Sequence, residues 1–511
     1  MRYHVLGAVV AIAMGVSTME SKAEPVVWTA PATVKVFRDT PPDSERALAL
    51  QAARNEYECG QVILRAGETP LRDVRVKVSS LKGPNGRAIA ANRIECRLVG
   101  YVLVQHENRY WPDPLPPLRP FTVAAGENQP VWVSVRVPKN APAGRYDGSL
   151  TLTPEGGKAL RVPLSLEVWD FAVPDKPSCE TAFGISHDYV LEQEGLQAGT
   201  PEAEAMLRRY YWYLVEHRLS PYSIPVDVLS DEAGEYLDDP RVTSFILPYS
   251  DDAEQMRRRM ERARERGWLA KAYYYPWDEP VNQEQYNTLK RRVEKIRSVH
   301  PDARIVSPFF RSPEFSQETA YEALDGVINI WCAVSNYFDP AKQMLKKMRG
   351  ETSWWYVCCG PGAPYANFHL TMDAMDHRIL QWQQKKYACD GLLYWSTTYW
   401  NSKVTADPWE DMATVKDIDP KLYGDGSLLY PGKKVGHNGP VSSLRLELIR
   451  EGFEDYEYLC LLERVAGRAA VEQAIGELVT DMTHFSKDPA TLAATRARVA
   501  AAIVAARARQ R

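Results

Sequence analysis

The sequence lacks a hydrophobic run long enough to span a membrane, and it has little net charge. After the first 23 residues, no segment reaches the roughly 18 uninterrupted apolar residues that a transmembrane helix needs. The 511-residue chain carries a formal net charge of only −4. Such a balance gives no electrostatic basis for binding nucleic acid or an anionic membrane surface. We therefore expect no nucleic-acid partner and no stable membrane span.

Motifs for several common kinds of catalysis are also missing. There is no Gly-x-Ser-x-Gly elbow and no phosphate-binding Walker loop, and the nine histidines show no His-Glu-x-x-His spacing. The eight cysteines include the adjacent pair Cys358 and Cys359 instead of a Cys-x-x-Cys motif. Gly360-Pro361-Gly362 has the first two glycines of a dinucleotide fingerprint, but no third glycine follows. The sequence thus predicts no cofactor and no metal site.

The first 23 residues have the pattern of a removable export signal. Arg2 and His4 precede an apolar run over residues 5–16, and Ser21-Lys22-Ala23 offers a small-x-small cleavage site. The apolar run is too short to cross a bilayer. We expect an exported protein, periplasmic or secreted; an uncleaved N-terminal anchor is the alternative.

Alternation of apolar and polar residues between positions 25 and 175 indicates an antiparallel β-sandwich. Residues 131–137 and 160–168 alternate clearly, and Gly83-Pro84-Asn85-Gly86 is typical of the turns between such strands. Pro174-Asp175-Lys176-Pro177 then indicates a linker. The sequence therefore predicts a first domain over residues 25–175.

Between positions 178 and 440 the pattern changes to strand, loop and helix, which favours a (β/α)8 TIM barrel. The eight strands are predicted at 181–186, 220–227, 242–248, 272–277, 304–309, 327–334, 354–358 and 392–396. Amphipathic helices are predicted at 202–218, 251–267, 282–299, 314–324, 339–349 and 371–388. Residues 441–511 have helical spacing, and Ser442 or Ser443 is a candidate cap.

The fourth predicted strand ends in two adjacent carboxylates. Residues 272–280 read Ala-Tyr-Tyr-Tyr-Pro-Trp-Asp-Glu-Pro, so Asp278 and Glu279 lie beside Trp277 and before Pro280. Hydrolysis of a glycosidic bond needs one carboxyl to protonate the leaving oxygen and a second negative group to stabilise the positive anomeric carbon. A solvated turn that opens the next helix is the alternative for these residues.

Other predicted strand ends supply polar and aromatic side chains that would meet the acid pair at the mouth of a barrel. Aromatic rings pack against the C–H faces of a sugar, and its hydroxyls need polar partners. Each of these aromatic residues could instead belong to the hydrophobic core. For His187 the alternative is a structural role. The candidate substrate-binding residues are His187, Asp227, Tyr275, Trp277, Trp331, Trp355, Tyr394, Trp395, Trp400 and Asn401.

Further sequence motifs occur in all three predicted parts of the chain. They are 53–58 (Ala-Arg-Asn-Glu-Tyr-Glu) with Gln61, 142–148 (Pro-Ala-Gly-Arg-Tyr-Asp-Gly), 168–171 (Val-Trp-Asp-Phe), 275–280, 355–358 (Trp-Tyr-Val-Cys), 391–395 (Gly-Leu-Leu-Tyr-Trp), 444–447 (Leu-Arg-Leu-Glu) and 450–459 (Arg-Glu-Gly-Phe-Glu-Asp-Tyr-Glu-Tyr-Leu). With these motifs, nearly the whole chain after residue 23 resembles glycoside hydrolase family 123 and the related family called domain of unknown function 4091.

The resemblance implies a retaining exo-β-N-acetylgalactosaminidase in which the substrate's acetamido oxygen is the nucleophile. Glu279 would be the general acid and later the general base, and Asp278 would orient the acetamido N–H and stabilise the oxazolinium cation. Because two neighbouring negative charges raise each other's proton affinity, Glu279 is expected to stay protonated near neutral pH. By analogy Tyr356 would donate a hydrogen bond to the acetamido carbonyl, with Tyr337 and Tyr394 as alternatives.

Two other functions are compatible with the same residues. One is a non-catalytic glycan-binding protein that keeps the aromatic surface, and the other is a glycosidase for a sugar without an acetamido group. The sandwich is expected to be an accessory or packing module. The acidic segment Glu454-Asp455-Tyr456-Glu457 belongs to the family pattern, and we expect it to form a solvated helix face.

Overall fold

The structure is a computed structural model that describes residues 24–311, 317–404 and 407–510. The predicted export signal, residues 1–23, lies outside the described residues. No helix in the described ranges is both long and apolar enough to cross a lipid bilayer.

The N-terminal part is a β-sandwich, as the alternating pattern predicts. One antiparallel sheet has the strand order Val26–Pro31, Tyr57–Arg65, Asn128–Arg136, Ile94–Leu98. The second has the order Phe121–Val123, Leu71–Val78, Gly144–Thr153, Leu160–Ala172, Leu48–Arg54, with the short strands Leu81–Lys82 and Ala88–Ile89 beside it. Apolar side chains from the inner faces of both sheets form one core.

The second sheet departs from the prediction at one edge. Leu160–Ala172 pairs with Leu48–Arg54 in parallel, whereas its other pairing, with Gly144–Thr153, is antiparallel. A parallel pair needs a long crossover between its strands, and here the chain passes through much of the sandwich between them. Alternation within a strand does not report the direction of its neighbour, so the sequence could not show this.

The middle part is mixed α/β and contains half of a barrel built from regular strands. A parallel sheet has the order Glu180–Phe183, Gly391–Tyr394, Thr352–Tyr356, Ile330–Val334. A separate parallel pair joins Phe245–Ile246 to Ala272–Tyr273. The predicted strands at 220–227 and 304–309 form only single parallel bridges, at Pro221 and at Ile305, Val306 and Phe309.

The predicted helices of the middle part are present, with ends that differ by a few residues. The six are Pro201–Glu216, Ala253–Glu265, Gln283–Val299, Gln317–Ala323, Pro340–Met348 and Ala374–Lys386, and the predicted start of the fourth, residues 314–316, lies outside the described residues. Two further helices, His187–Glu194 and Ala233–Leu237, were not predicted. Side-chain caps start several of them: Asp252, Asn282 and Asp339 each accept hydrogen bonds from the first turn of the helix that follows.

The C-terminal part is helical, as predicted, with helices Leu444–Ala466, Arg468–Gly476 and Pro489–Gln510. Ser443 caps the first of them, because its Oγ accepts a hydrogen bond of 3.1 Å from Leu446 N. The strand Ser442–Ser443 pairs with Pro114–Leu115. Arg445 is completely buried and donates to both carboxylate oxygens of Asp113, at 3.0 and 2.9 Å. These contacts join the C-terminal part to the sandwich.

The prediction of a solvated helix face at residues 454–457 is wrong. Glu454, Asp455 and Glu457 are all at most 2% exposed, because the helix Leu444–Ala466 packs against the sandwich strand Tyr57–Arg65 and the helix Ala374–Lys386 of the middle part. Asp455 accepts hydrogen bonds from Arg378 and Arg496, and Glu454 accepts one from the backbone N–H of Tyr57. The acidic residues are therefore partners in a buried ionic junction. We call this group, with Glu56, Glu58 and Glu451, the junction cluster.

Candidate active site

The acid pair lies directly after a short barrel strand, where the chain turns sharply. Tyr274 makes the last bridge of this strand, with Ile305, and Asp278 and Glu279 follow within five residues. Glu279 has φ +43°, in the left-handed region that non-glycine residues rarely adopt. The following residue, Pro280, has no backbone N–H and prevents the strand from continuing. The turn directs two consecutive carboxylates into one cleft.

Asp278 is held by a tyrosine from its own strand. The hydroxyl of Tyr275 donates a 2.6 Å hydrogen bond to Oδ1 of Asp278. Burial, with Tyr222 and Asp278 nearby, raises the pKa of Tyr275 well above its ordinary value, so the phenol keeps its proton as donor. One oxygen of Asp278 is thereby fixed, and the exposed side chain presents the other to the cleft.

Glu279 is held by a tyrosine from a different strand. The hydroxyl of Tyr356, the last residue of the strand Thr352–Tyr356, donates to Oε1 of Glu279. Burial raises the pKa of Glu279, the hydrogen bond from Tyr356 lowers it, and the nearby charge of Asp278 raises it further. The net direction is upward, as a proton donor near neutral pH requires.

The two acids line an open cleft of about 670 Å³. Of the predicted substrate-binding residues, Tyr275, Trp277 and Trp395 also line it. The described residues that line it are Tyr222, Ile246, Tyr275, Pro276, Trp277, Asp278, Glu279, Val281, Gln285, Arg292 and Trp395. The cleft combines carboxylates with aromatic rings, which is the composition expected of a sugar site.

Trp395 is positioned by the loop that contains Asp425 and Gly426. Its indole N–H lies 3.2 Å from each carboxylate oxygen of Asp425, and the Tyr394 hydroxyl donates to the same group at 3.2 Å. Burial raises the pKa of Asp425 to about 6, although the hydrogen bonds from Trp395 and Tyr394 favour its ionised form. A Cβ on Gly426 would lie 2.2 Å from the Trp395 ring, so only glycine fits there. Tyr394 therefore does not line the cleft but helps to hold Asp425, the partner of the Trp395 indole.

Trp277 is a second tryptophan in the cleft lining and is held at its backbone. Its carbonyl accepts a 2.9 Å hydrogen bond from Ser307 Oγ, and the preceding carbonyl, of Pro276, accepts one of 2.6 Å from Arg292. The Arg292 guanidinium lies 4.9 Å from the centre of the Trp277 ring.

Three tryptophans predicted to bind substrate lie elsewhere. Trp331, Trp355 and Trp400 are fully buried. Trp331 stacks on Tyr321 of a surrounding helix, and its indole N–H donates to Glu351. The other two contact the layer around the strands: Trp355 packs against Phe338, and Trp400 against Tyr210 of the helix Pro201–Glu216. For these three the core alternative applies.

Three predicted polar contacts also lie outside the cleft lining. Asp227 is exposed, accepts a hydrogen bond from Leu229 N and pairs with Arg259. His187 is the first residue of the helix His187–Glu194, and burial lowers its pKa. Asn401 accepts a hydrogen bond from the backbone N–H of Lys403.

Two alternatives to Tyr356 also have other surroundings. Tyr394 is bonded to Asp425 as described, and Tyr337 packs against Phe309 and Tyr321. Of the three candidate tyrosines, Tyr356 is the one whose hydroxyl contacts the acid pair.

Four site residues were missed by the sequence reasoning: Tyr222, Gln285, Arg292 and Asp425. Tyr222 lies near the start of the predicted second strand, 220–227, and it borders the cleft because pairing there is a single bridge at Pro221. Gln285 and Arg292 lie on the predicted helix 282–299, and its amphipathic spacing indicates only that it packs against the strands. Asp425 lies in a long loop without a recognisable pattern. In the described part of the chain, no cluster of three or more His, Cys, Asp or Glu side chains could hold a metal ion.

Comparison with known proteins gives consistent matches. A family model described as glycoside hydrolase 123, catalytic domain, matches residues 222–462, and one described as glycoside hydrolase 123 N-terminal domain matches residues 33–154. Comparison with curated proteins gives no match.

Among solved structures, a family 123 glycoside hydrolase from Clostridium perfringens, from a study of glycolipid glycan hydrolysis, is similar with a TM-score of 0.72. It shares 15% sequence identity, and the alignment covers 94% of this chain and 99% of that one. A GH2 β-galacturonidase from Eisenbergiella tayi matches with a TM-score of 0.32, 10% identity and coverage of 78% and 69%. A GH5 xyloglucanase from Bacteroides ovatus matches with a TM-score of 0.24, 9% identity and coverage of 84% and 100%.

Proposed function

The chain belongs to glycoside hydrolase family 123, and from this premise we propose that it removes a terminal β-linked N-acetylgalactosamine from a glycan with retention of configuration. One observation carries the proposal: Asp278 and Glu279 are adjacent in the cleft, and each is held by its own tyrosine. Their separate surroundings support separate roles for the two carboxyl groups.

The adjacency of the acids favours a nucleophile that belongs to the substrate. A retaining glycosidase with its own nucleophile uses two carboxyl groups about 5–5.5 Å apart, on opposite sides of the scissile bond. Two consecutive residues on one turn suit a different division of work. The acetamido oxygen attacks the anomeric carbon while Glu279 protonates the leaving oxygen. Asp278, with one oxygen fixed by Tyr275, accepts the acetamido N–H and stabilises the oxazolinium cation.

In the second step Glu279 takes a proton from water, and the water oxygen opens the oxazolinium ring at the anomeric carbon. Each step inverts that carbon once, so the product keeps the β configuration. In the structure the Tyr356 hydroxyl donates its one hydrogen bond to Glu279. To donate a hydrogen bond to the acetamido carbonyl instead, the Tyr356 hydroxyl must rotate towards the substrate. It can do so once the Glu279 carboxyl is protonated.

A complete (β/α)8 barrel, with the site at the carboxyl ends of its strands, is part of the same proposal. Backbone hydrogen bonds between the short segments support it. Tyr222 N donates to Phe183 O at 2.8 Å, Ile246 N to Tyr222 O at 2.7 Å, and Phe309 N to Cys332 O at 3.0 Å. These bonds bridge between the regular strands at places where the strands themselves are too short to pair extensively.

The natural substrate we propose is the glycan of a glycolipid or another glycoconjugate, met outside the cytoplasm. The Clostridium perfringens relative, studied for glycolipid glycan hydrolysis, supports the first part. The sequence pattern of residues 1–23 supports the second.

Turnover of a panel of aryl β-glycosides, followed by proton NMR of the first-formed sugar, tests the proposal. We expect hydrolysis of the N-acetylgalactosaminide, an initial β anomer and strong inhibition by a thiazoline mimic of the bicyclic intermediate. Fluorines on the acetamido methyl should slow turnover progressively, because they make the attacking oxygen a weaker nucleophile. An initial α anomer rules out the mechanism. Turnover of neutral sugars alone would favour a glycosidase without acetamido recognition, and binding without turnover a glycan-binding protein.

A further inference from the structure

The helix Gln283–Val299 brings two hydrogen-bond donors into the cleft that the proposed reaction does not use. Gln285 and Arg292 are seven residues apart, about two helical turns, so they lie on the same face of the helix. Both line the cleft together with Trp277 and the acid pair. They lie close to the reacting groups in a region that a bound glycan would contact.

The described part of the chain offers Arg292 one hydrogen-bond acceptor. A guanidinium has five N–H donors, and the carbonyl of Pro276 accepts from one nitrogen, Nη1, at 2.6 Å. Lys295, on the same helix, pairs with Asp251 at 3.4 Å. Arg292 has no carboxylate within 4.0 Å among the residues the structure describes. Its guanidinium lies over the rings of Trp277 and Tyr249, at 4.9 and 5.3 Å from their centres. These contacts hold the guanidinium beside the two rings, and apart from the bond to Pro276 its N–H groups have no acceptor among the described residues.

Gln285 is oriented with its amide nitrogen free. Its Oε1 accepts a 2.8 Å hydrogen bond from the backbone N–H of Val281. A backbone N–H can only donate, so the atom that it contacts must be the side-chain oxygen. Nε2 therefore points away with two donors, for which the described residues supply no acceptor. Gln285 and Arg292 together present donors without a matching acceptor.

The charges of the cleft lining indicate which kind of ligand group Arg292 and Gln285 suit. Among the described residues that line the cleft, Arg292 is the one cation, and Asp278 and Glu279 are the two anions. A neutral glycan packed against the guanidinium would displace the water that solvates it without supplying a negative charge, and this desolvation costs free energy. An oxyanion would accept two parallel hydrogen bonds from it. The cleft is thus suited to a negatively charged group beside Trp277.

We propose that Arg292 and Gln285 form a subsite for an oxyanion substituent, a sulfate ester or a carboxylate, on the glycan that the acid pair cleaves. This inference rests on the proposed function and narrows its substrate class to acidic glycans. The alternative is that Arg292 only braces Trp277 and the Pro276 carbonyl. In that case the charge on the substrate is irrelevant.

The test compares kcat/KM of the full chain on matched neutral and anionic substrates. Nitrophenyl β-N-acetylgalactosaminide and its form sulfated on the primary hydroxyl place the anion on the cleaved sugar. Two disaccharides, with β-N-acetylgalactosamine linked to glucuronate or to glucose, place a carboxylate on the leaving side. We expect one anionic substrate to exceed its neutral counterpart by about tenfold to hundredfold, the range for a hydrogen-bonded charge pair, and the excess to shrink as salt is added.

Variants show whether Arg292 causes the preference. In Arg292→Gln the ratio of anionic to neutral kcat/KM should fall to about one, whereas Arg292→Lys, which keeps a point charge, should retain part of it. Arg291→Gln is the matched control: Arg291 is exposed, contacts Thr288 and lies outside the cleft lining, so this variant should keep the wild-type ratio. Reading a ratio separates charge recognition from a general loss of activity caused by a displaced Trp277.

The wild-type protein also gives a decisive result if the Arg292 variants fail to fold. Equal kcat/KM on neutral and anionic partners, at low and high salt, would overturn the subsite, as would a preference that survives in Arg292→Gln. If no N-acetylgalactosaminide is hydrolysed, the proposed function fails separately. The subsite is then read from tryptophan fluorescence: either sulfated N-acetylgalactosamine or the glucuronate disaccharide should bind about tenfold or more tightly than its neutral counterpart, and equal binding within both pairs contradicts the inference.

Discussion

Glu279 combines an unfavourable backbone conformation with a carboxyl group that holds its proton more tightly than usual. Its φ of +43° belongs to a conformation that costs about 1–2 kcal/mol for a residue with a side chain. Strain of this kind persists where the surrounding structure enforces it, and it is common at functional sites. Here it turns the carboxyl from the strand direction into the cleft, towards the hydroxyl of Tyr356.

Replacing Glu279 by Gln removes the proposed proton donor and keeps its shape. We expect hydrolysis of substrates with poor leaving groups to fall by about 10²–10⁴-fold, the usual contribution of a general acid. Activated nitrophenyl glycosides should lose less, because their leaving group needs less protonation. Glu284→Gln, on the exposed surface of the next helix, is the control and should match the wild type. Equal losses on both kinds of substrate would contradict the assignment.

Tyr356→Phe should change the pH profile as well as the rate. The hydrogen bond from Tyr356 lowers the pKa of Glu279 against the larger effect of burial. Without it that pKa rises further, so the acid stays protonated to higher pH. The alkaline limb of kcat/KM should move to higher pH while kcat falls. Tyr274→Phe removes a buried hydroxyl that has no partner among the described residues and should leave the limb in place. A fixed limb in Tyr356→Phe would show that Tyr356 does not act through Glu279.

At the scale of elements, the loop after the last barrel strand controls one wall of the cleft. Gly426→Ala adds a Cβ 2.2 Å from the Trp395 ring at a residue with φ +67°. We expect KM to rise several-fold as Trp395 is displaced, with a loss of stability of at least about 1 kcal/mol from the backbone alone. Gly199→Ala has the same kind of backbone, φ +79°, with nothing near the new Cβ. It should lose stability and keep KM. Unchanged KM in Gly426→Ala would show that Trp395 does not bind substrate.

Periodicity predicted those elements whose two faces differ. The helix Gln283–Val299, for example, has a buried face that includes Leu289 and Val293 and an exposed one, and it lies within a residue of the predicted range. The acid pair could be identified because three signals coincide in one short segment: strand-forming residues, two carboxylates and a proline. The short pairings at Pro221 and Ile305 could not be distinguished from full strands, because segment composition does not report how many ladder bonds form.

The buried tryptophans show why the aromatic surface was overpredicted. A strand inside a mixed α/β fold is covered on both sides, by the neighbouring strands' side chains and by helices, so both sets of alternating residues are apolar. Trp331 faces helix residues such as Tyr321, whereas Trp395 follows the end of its strand and reaches the cleft. Sequence alone gives both the same appearance. The difference is set by which side of the strand each residue occupies.

At the scale of the whole molecule, the junction cluster joins all three parts of the chain. Arg496 pairs with Glu56 and Glu58 of the sandwich and with Asp455 of the long helix. Arg378, from the helix Ala374–Lys386, pairs with Asp455 and Glu451. No local pattern indicates this burial, because the partners are far apart in the chain. Without them, three acids in four residues are typical of a solvated surface.

The junction cluster should make the protein less stable as the pH rises from 5 to 8. Burial raises the pKa of Glu58 to about 7, although Arg496 favours its ionised form; unfolded, its pKa is about 4.3. The folded state therefore binds more protons over this interval, so stability present at low pH is lost as the pH rises through 7. Glu58→Gln removes that titration. The free energy of unfolding, measured in urea, should decrease between pH 5 and 8 in both proteins, and the decrease should be smaller in the variant than in the wild type by roughly 1–3 kcal/mol.

The matched control for this experiment is Glu472→Gln. Glu472 is exposed and pairs with Arg468 on one helix, an interaction that contributes at most about 1 kcal/mol. Its pH dependence should follow the wild type. Parallel pH profiles for Glu58→Gln and the wild type would show that Glu58 has the same proton affinity in the folded and unfolded chains.

The long sequence separations within the junction have a consequence for the time course of synthesis. Arg496 follows Glu56 by 440 positions, and Arg445 follows Asp113 by 332. At about 5–20 residues per second, Glu56 is synthesised roughly 20–90 seconds before Arg496, the last arginine that pairs with the carboxylates of the sandwich. A nascent chain therefore spends most of its synthesis with this edge of the sandwich uncovered and hydrated. The ion pairs of Arg496 can form only after residue 496 has been synthesised. In a chain that stops before residue 496, we expect this edge of the sandwich to stay accessible to proteases.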